Sequence, residues 1–316
     1  MANTISSVTV TINGQDITLE SQDGLTWAKT CIAPTASSFP LTGGYYPVTV
    51  TAQYATGSST TINDQTAGAL GQSCRLVVRE KVAPTATISG AFATNGSYLK
   101  DATQRLSLTL VDNANGQTSG YSGIDLSTLT AVFTSTTLGA SKTKQLTSSD
   151  FTTSSVTGGY SAYADITFED ATDWVLTVNV SDNDGNAMTA LTRSFTIDTV
   201  APLLTVTAPV DNLSTASATV AVVGTTEIGA TVSVAVDGGT AASVTVDSNG
   251  AFNDSVTFSS SGTHTIVITA TDSSGNTTTS TKTVWYSSDT PTIKSVTLSP
   301  NPADGGATYV ITVVVE

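Results

Sequence analysis

The sequence predicts an all-β protein built of tandem β-sandwich domains in an elongated array. Three observations carry this: the composition, an alternating apolar rhythm, and a repeated joint. Only 11% of residues are charged while 39% are hydrophobic, so cores can form but the surface is not the usual lysine–glutamate one. Thr, Ser, Ala and Gly fill the gap. Thr and Val favour the pleated, half-buried surface of a strand, because their branched Cβ packs well there. The usual surface residues of helices are scarce. No stretch carries helical periodicity, whereas Val8-Thr9-Val10-Thr11-Ile12 and many segments like it alternate with period two.

At 316 residues the chain suits two to four domains. The joint that divides it is Val82-Ala83-Pro84-Thr85, which returns as Val200-Ala201-Pro202-Leu203 and, in similar form, as Asp289-Thr290-Pro291-Thr292. Proline fixes its own φ and holds the preceding residue extended, so each is a short, stiff linker. The expected domains are 1–82, 83–198, 199–288 and a C-terminal stub, 289–316.

Each part has its own pattern. In the first, Gly43-Gly44 leads into an alternating strand at 45–54, and one of Tyr45 and Tyr46 is expected to anchor the strand entry. The second has Gly158-Gly159-Tyr160 at a comparable place, and a long strand from Trp174 that ends in Asp182-Asn183-Asp184-Gly185-Asn186. That strand and turn align with His264 through Asp272-Ser273-Ser274-Gly275-Asn276 in the third. In both, alternate residues (Leu176, Val178, Val180; Ile266, Ile268, Ala270) are expected to face inward, and the Asp-x-x-Gly-Asn closes a hairpin. The third part reads as seven short strands near 203–208, 216–223, 230–236, 242–247, 252–258, 263–271 and 277–285. Seven strands at this spacing are the pattern of an immunoglobulin-like sandwich. The stub offers two strands, 294–299 and 309–315. A two-stranded hairpin alone is marginal in water, so it is expected to dock on the third domain, another subunit or a partner.

The net charge of −14 argues against nucleic acid, which needs a basic footprint, and against anionic membrane surfaces. No apolar run is long enough to span a bilayer. The start, Met1-Ala2-Asn3-Thr4, has no basic or apolar leader region, so the expectation is export by a route other than secretion, or a mature fragment. Cys31 and Cys74 both fall in the first domain; a bridge between sheets and a pair of buried free thiols are both open. The lone histidine, His264, reads as structural, at a strand entry. Trp174 and Trp285 read as core residues and Trp27 as either core or surface; any exposed aromatic would be a candidate for stacking on sugars. No nucleophile–base pair, P-loop or zinc motif occurs, and no catalytic or binding residue is assigned: the expectation is that the chain is not an enzyme.

Gly229-Ala230-Thr231-Val232-Ser233-Val234, Asn249-Gly250-Ala251-Phe252 and Ala270-Thr271-Asp272-Ser273-Ser274-Gly275-Asn276 resemble the bacterial immunoglobulin-like repeat family. Ser122-Gly123-Ile124-Asp125-Leu126-Ser127-Thr128-Leu129 is similar to the same group, so the resemblance covers roughly 85–286. It implies tandem sandwiches of the kind found in surface adhesins, accessory modules of carbohydrate-active enzymes, and phage structural proteins. The segment 292–302, Thr-Ile-Lys-Ser-Val-Thr-Leu-Ser-Pro-Asn-Pro, resembles immunoglobulin-like proteins of phage and prophage tail modules. The functional expectation is therefore a structural and adhesive protein of a phage tail or tail-like particle, contacting host-surface glycans and held to other proteins through its C-terminal strands, with oligomers open. The alternatives are a cell-surface adhesin or S-layer fragment and an enzyme's accessory module. In related arrays a loop and a linker meet at domain junctions. Asp182, Asp184 and Asp198 are on that ground possible calcium ligands, against the plain reading of a hairpin turn, and none is assigned as a metal ligand.

Overall fold

The computed structural model describes residues 4–66, 68, 73–112 and 120–316; Met1-Ala2-Asn3 of the expected start lies outside them. The chain divides into two compact units, Met1–Asp198 and Thr199–Glu316.

The first unit opens with β1 (Ile5–Ile12), β2 (Gln15–Thr18), β3 (Glu20–Ser21), β4 (Trp27–Ala28), β5 (Tyr46–Tyr54), β6 (Ser59–Ile62) and β7 (Arg75–Leu76). Asn13 and Gly14 both take positive φ, 50° and 72°, which makes the two-residue turn that brings β2 back onto β1. The sheet runs β2-β1-β5-β6, with β7 paired to β5 and β3–β4 as a separate short ladder. Tyr46, not Tyr45, is the strand-entry anchor: it is buried and its hydroxyl donates to the Ala36 carbonyl. Among the described residues this region has a single sizeable sheet, and its buried apolar side chains are few: Val8, Tyr46, Cys74 and Val78. Cys31 is exposed, Cys74 is buried, and both are free thiols.

The same unit continues through β8 (Thr85–Ser89), β9 (Ser97–Leu99), β10 (Thr103–Val111), β11 (Ile124–Thr134), β12 (Lys144–Thr147), β13 (Thr152–Val156), β14 (Gly159–Thr167), β15 (Ala171–Asp182) and β16 (Leu191–Ile197). These make two sheets, β13-β14-β10-β8 and β12-β11-β15-β16-β9, with only the β9–β16 pair parallel. Strict alternation sends Leu106, Leu108 and Leu110 of one sheet and Leu176, Val178 and Val180 of the other into a shared core. Its centre is aromatic: Phe92, Phe133, Phe168, Trp174 and Phe195 meet mostly edge to face, with Phe168 and Trp174 5.2 Å apart.

The second unit holds β17 (Leu204–Ala208), β18 (Leu213–Thr215), β19 (Thr219–Thr226), β20 (Thr231–Val236), β21 (Ala242–Val244), β22 (Ala251–Thr257), β23 (Gly262–Thr271) and β24 (Thr277–Tyr286). They form β17-β19-β22 and β18-β24-β23-β20-β21 around a core of Val, Ile and Phe252. The strand count is eight, not the expected seven. The added strand, β18, arises because the chain leaves the first sheet at Ala208, turns through Asn212 at φ 59°, and pairs parallel with β24 in the other sheet. Three residues are too few to show an alternation. Both pairs of sheets are immunoglobulin-like sandwiches.

The second unit ends in β25 (Ile293–Ser299) and β26 (Val310–Val315), which pair only with each other. Every residue from 288 to 316 is exposed, so the stub does not dock on the third sandwich. No helix of the described residues is long and apolar enough to cross a membrane.

Candidate functional site

The most unusual chemistry in the chain is a buried acidic centre in the first unit. Glu80 lies on the linker before β8, Asp112 just past the end of β10, and Asp182 at the end of β15. Each is at most 8% exposed, and one carboxylate oxygen from each lies within 4.8 Å of the other two. The two strands that deliver Asp112 and Asp182 belong to opposite sheets, so the centre closes one end of the sandwich while Glu80 enters from the linker.

Local hydrogen bonds hold it in place. Asp182 Oδ1 accepts the backbone N–H groups of Asp184 (2.9 Å) and Asn186 (2.8 Å), and its Oδ2 accepts the Asn186 side-chain amide at 2.7 Å. Gly185 takes φ 89°, the left-handed conformation that lets this five-residue turn fold back on its first aspartate. Asn186 reaches the Glu80 carbonyl at 3.1 Å, and Asp184 Oδ2 accepts the Glu80 N–H at 2.9 Å, so the turn and the linker grip each other. Glu80 Oε2 accepts the Val82 N–H, while its Oε1 has only long contacts, to Ser122 Oγ at 3.4 Å and Asn186 Nδ2 at 3.3 Å. Asp112 Oδ2 accepts the Gly123 N–H at 2.6 Å, and its Oδ1 is buried with no partner among the described residues.

The electrostatics follow from burial without a counter-charge. None of the ion pairs among the described residues involves these groups. Burial, followed by the hydrogen bond with Asp182 and the charges of Asp182 and Asp112, pushes the Glu80 carboxyl up to about 7, against the opposing pull of the Val82 N–H. Burial also raises Asp112; the Gly123 N–H opposes this, and the charges of Asp182 and Asp184 add to it.

Of the three aspartates expected at a junction, the structure brings Asp182 into the centre and Asp184 beside it. Asp198 is elsewhere: it follows β16, and its N–H donates to the Leu99 carbonyl. The linker residue that does belong is Glu80. Glu80 and Asp198 stand at the same distance before the repeated Val-Ala-Pro, so the repeat itself held the signal, read onto the wrong neighbour. Asp112 had no sequence signal beyond being the acid after a strand.

The remaining candidates resolve into structure. His264 Nδ1 lies 2.7 Å from Asp237 Oδ2 and Nε2 lies 2.9 Å from the Ser260 carbonyl, with the ring stacked 4.2 Å over Phe258. Both partners are acceptors, so both contacts are made in full when the two ring nitrogens each carry a hydrogen, an arrangement that favours the imidazolium. The Asp237 hydrogen bond, then the Ser260 carbonyl, raises its pKa. Trp174 is in the core as expected, its indole N–H on the Glu169 carbonyl at 3.0 Å. Trp285 is not: it is 52% exposed, because its neighbour Val284 takes the inward position on β24. Tyr98 and Tyr163 are also exposed, the latter under the Arg105 guanidinium.

The hairpin β25–β26 has two unlike faces. Ile293, Val296 and Leu298 stand opposite Val315, Val313 and Ile311, an all-apolar face, whereas Ser295, Thr297 and Ser299 stand opposite Val314, Thr312 and Val310.

Residues 202–287 match the family model described as glucodextranase, domain B. No curated protein sequence matches the chain. Among solved structures, fibronectin(III)-like modules of Clostridium thermocellum CbhA are 15% identical over 64% of this chain and 94% of that one, at a TM-score of 0.40. The titin domains I67–I69 are 11% identical over 89% of this chain and 87% of that one, at 0.37. A bacterial ice-binding adhesin is 17% identical over 91% of this chain and 88% of that one, at 0.30. At these scores none of the three bears on what the chain does.

Proposed function

We propose that the chain is a non-catalytic structural and adhesive protein, whose immunoglobulin-like sandwiches are displayed outside the cell and joined to a carrier through β25–β26. The observation that carries this reading is the hairpin. It exposes an apolar face of six side chains and two unpaired strand edges, beside sandwiches whose outer faces are largely Thr and Ser. Such a face is a cost in water unless another sheet covers it. The carrier in this reading is a phage tail or tail-like particle, in keeping with the resemblance of 292–302. The displayed surfaces would meet host glycans through exposed rings such as Trp285 and Tyr98.

The test is a particle preparation probed with antibody to the chain. Immunogold labelling on tails, lost when Ile311 and Val313 are both changed to Asp, is the expected result. Labelling confined to cell walls would move the chain to a surface adhesin. A second reading, an accessory module of a carbohydrate-active enzyme, is favoured by the match of 202–287 to a glucodextranase domain. It predicts a catalytic domain in the same reading frame and binding to a polysaccharide.

A further inference from the structure

We propose that Glu80, Asp112 and Asp182 are the carboxylate ligands of a calcium ion that ties the linker before β8 to both sheets of the second sandwich. The donors are all oxygen, with no thiol or imidazole among them, which selects a hard cation over zinc or copper. The spacing fits. Calcium takes oxygen at about 2.4 Å, so two ligands on opposite sides of the ion lie at most about 4.8 Å apart. One oxygen from each of the three carboxylates lies within that same distance of the others.

Acidic residues alone would not make a site, but Asp112 adds an independent observation. It is 1% exposed, and its Oδ1 has no hydrogen-bond partner among the described residues. A buried carboxylate oxygen left bare is costly. A dication would satisfy that oxygen and supply the counter-charge that no side chain among the described residues gives the cluster. Glu80 Oε1 is held only by long contacts, to Ser122 Oγ at 3.4 Å and Asn186 Nδ2 at 3.3 Å. Asp182 is already oriented by the Asp184 and Asn186 amides, the outer-shell support a metal ligand needs.

The ion acts on structure. Glu80 belongs to the chain before β8, Asp112 to the end of β10 and Asp182 to the end of β15, so one cation would lock three separate segments within the first unit. This holds whether or not the chain is adhesive; its test reads metal binding, not display.

The test is calorimetric titration of the full chain, stripped with chelator at pH 7.5, with calcium chloride. The expected result is a single equivalent bound, with thermal unfolding of the first unit moved upward. Asp112→Asn should weaken binding at least tenfold while Asp272→Asn, at the matching turn of the other sandwich, leaves it unchanged. Should Asp112→Asn fail to fold, Glu80→Gln serves, with its fold checked by circular dichroism and the same loss expected. No binding up to about 10 mM calcium, ten times the weakest range of extracellular calcium modules, overturns the site. Undiminished binding in folded Glu80→Gln also overturns it.

Discussion

The second and third sandwiches share a plan and differ in what fills it. Their larger sheets run β12-β11-β15-β16-β9 and β21-β20-β23-β24-β18, strand for strand, each closed by a short parallel strand. Their smaller sheets share β14-β10-β8 and β22-β19-β17, with β13 added only in the second. Phe168 and Trp174 in one correspond to Phe258 and His264 in the other, and Phe168 and Phe258 both bond back to an alanine carbonyl, of Ala102 and Ala218. In the second sandwich that place holds an aromatic pair inside a five-ring core; in the third it holds an imidazole stacked on one ring and pinned by Asp237. The closing turns differ in the same way. Asp182 is buried among other carboxylates. Asp272 is partly exposed; burial pushes it up, but the side-chain and backbone N–H groups of Asn276 and the N–H groups of Gly275 and Ser274 bring it below the ordinary value. One backbone plan therefore tolerates an apolar or an ionic plug at the strand entry, and a buried or a partly exposed turn aspartate at the far end.

The largest effect should separate the two plugs. Trp174→Ala empties the middle of the aromatic core and should cost about 3–5 kcal/mol of first-unit stability by denaturant titration. His264→Ala should cost distinctly less in the second unit, and equal costs would break the comparison. Next, a methyl at Gly159 would lie 1.8 Å from the Leu110 carbonyl oxygen, and one at Gly224 2.2 Å from that of Thr205. Gly159→Ala and Gly224→Ala should each cost about 1–3 kcal/mol or more by forcing strands apart, measurable as a lowered unfolding midpoint of the unit concerned.

The ionic plug has a pH signature that the aromatic one lacks. The His264 pKa is raised in the folded state, so its contribution is complete below the unfolded value, about 6.5, and is lost as pH rises through the higher folded value. Asp237 is lowered, first by the His264 hydrogen bond, so its contribution is present above about 3.9 and lost as pH falls through the lower folded value. The second unit's midpoint should fall from pH 6 toward 9, and His264→Phe should flatten that slope. The smallest effect is at the exposed turn, where Asp272→Ala removes bonds to Asn276 and should lower second-unit stability by about 1 kcal/mol.

Much of this fold was legible in the sequence because strand alternation is set by the backbone. The rows Leu176–Val180 and Ile266–Ala270 face inward, and both Asp-x-x-Gly-Asn segments close turns. What escaped has physical reasons. The strand β18 is too short to alternate. Trp285 was assigned to the core by its size, whereas the pleat gave that side to Val284. One of the centre's three carboxylates, Asp182, was visible, together with its neighbour Asp184 in the same turn. The repeated Val-Ala-Pro marks Glu80 and Asp198 alike and does not say which of them joins; Asp112 joins only through the meeting of strand ends from opposite sheets, which no local pattern encodes.

The two turns offer the most direct measurement. The Asn186 and Asn276 amides each donate to the first aspartate of their own turn, at 2.8 Å and 2.9 Å, so they are matched probes in one molecule. Hydrogen exchange at both, with chelator and then with calcium, should show the Asn186 amide gaining protection while the Asn276 amide keeps its rate. Equal protection at both turns, or none at Asn186, would contradict a cation centre confined to the second sandwich.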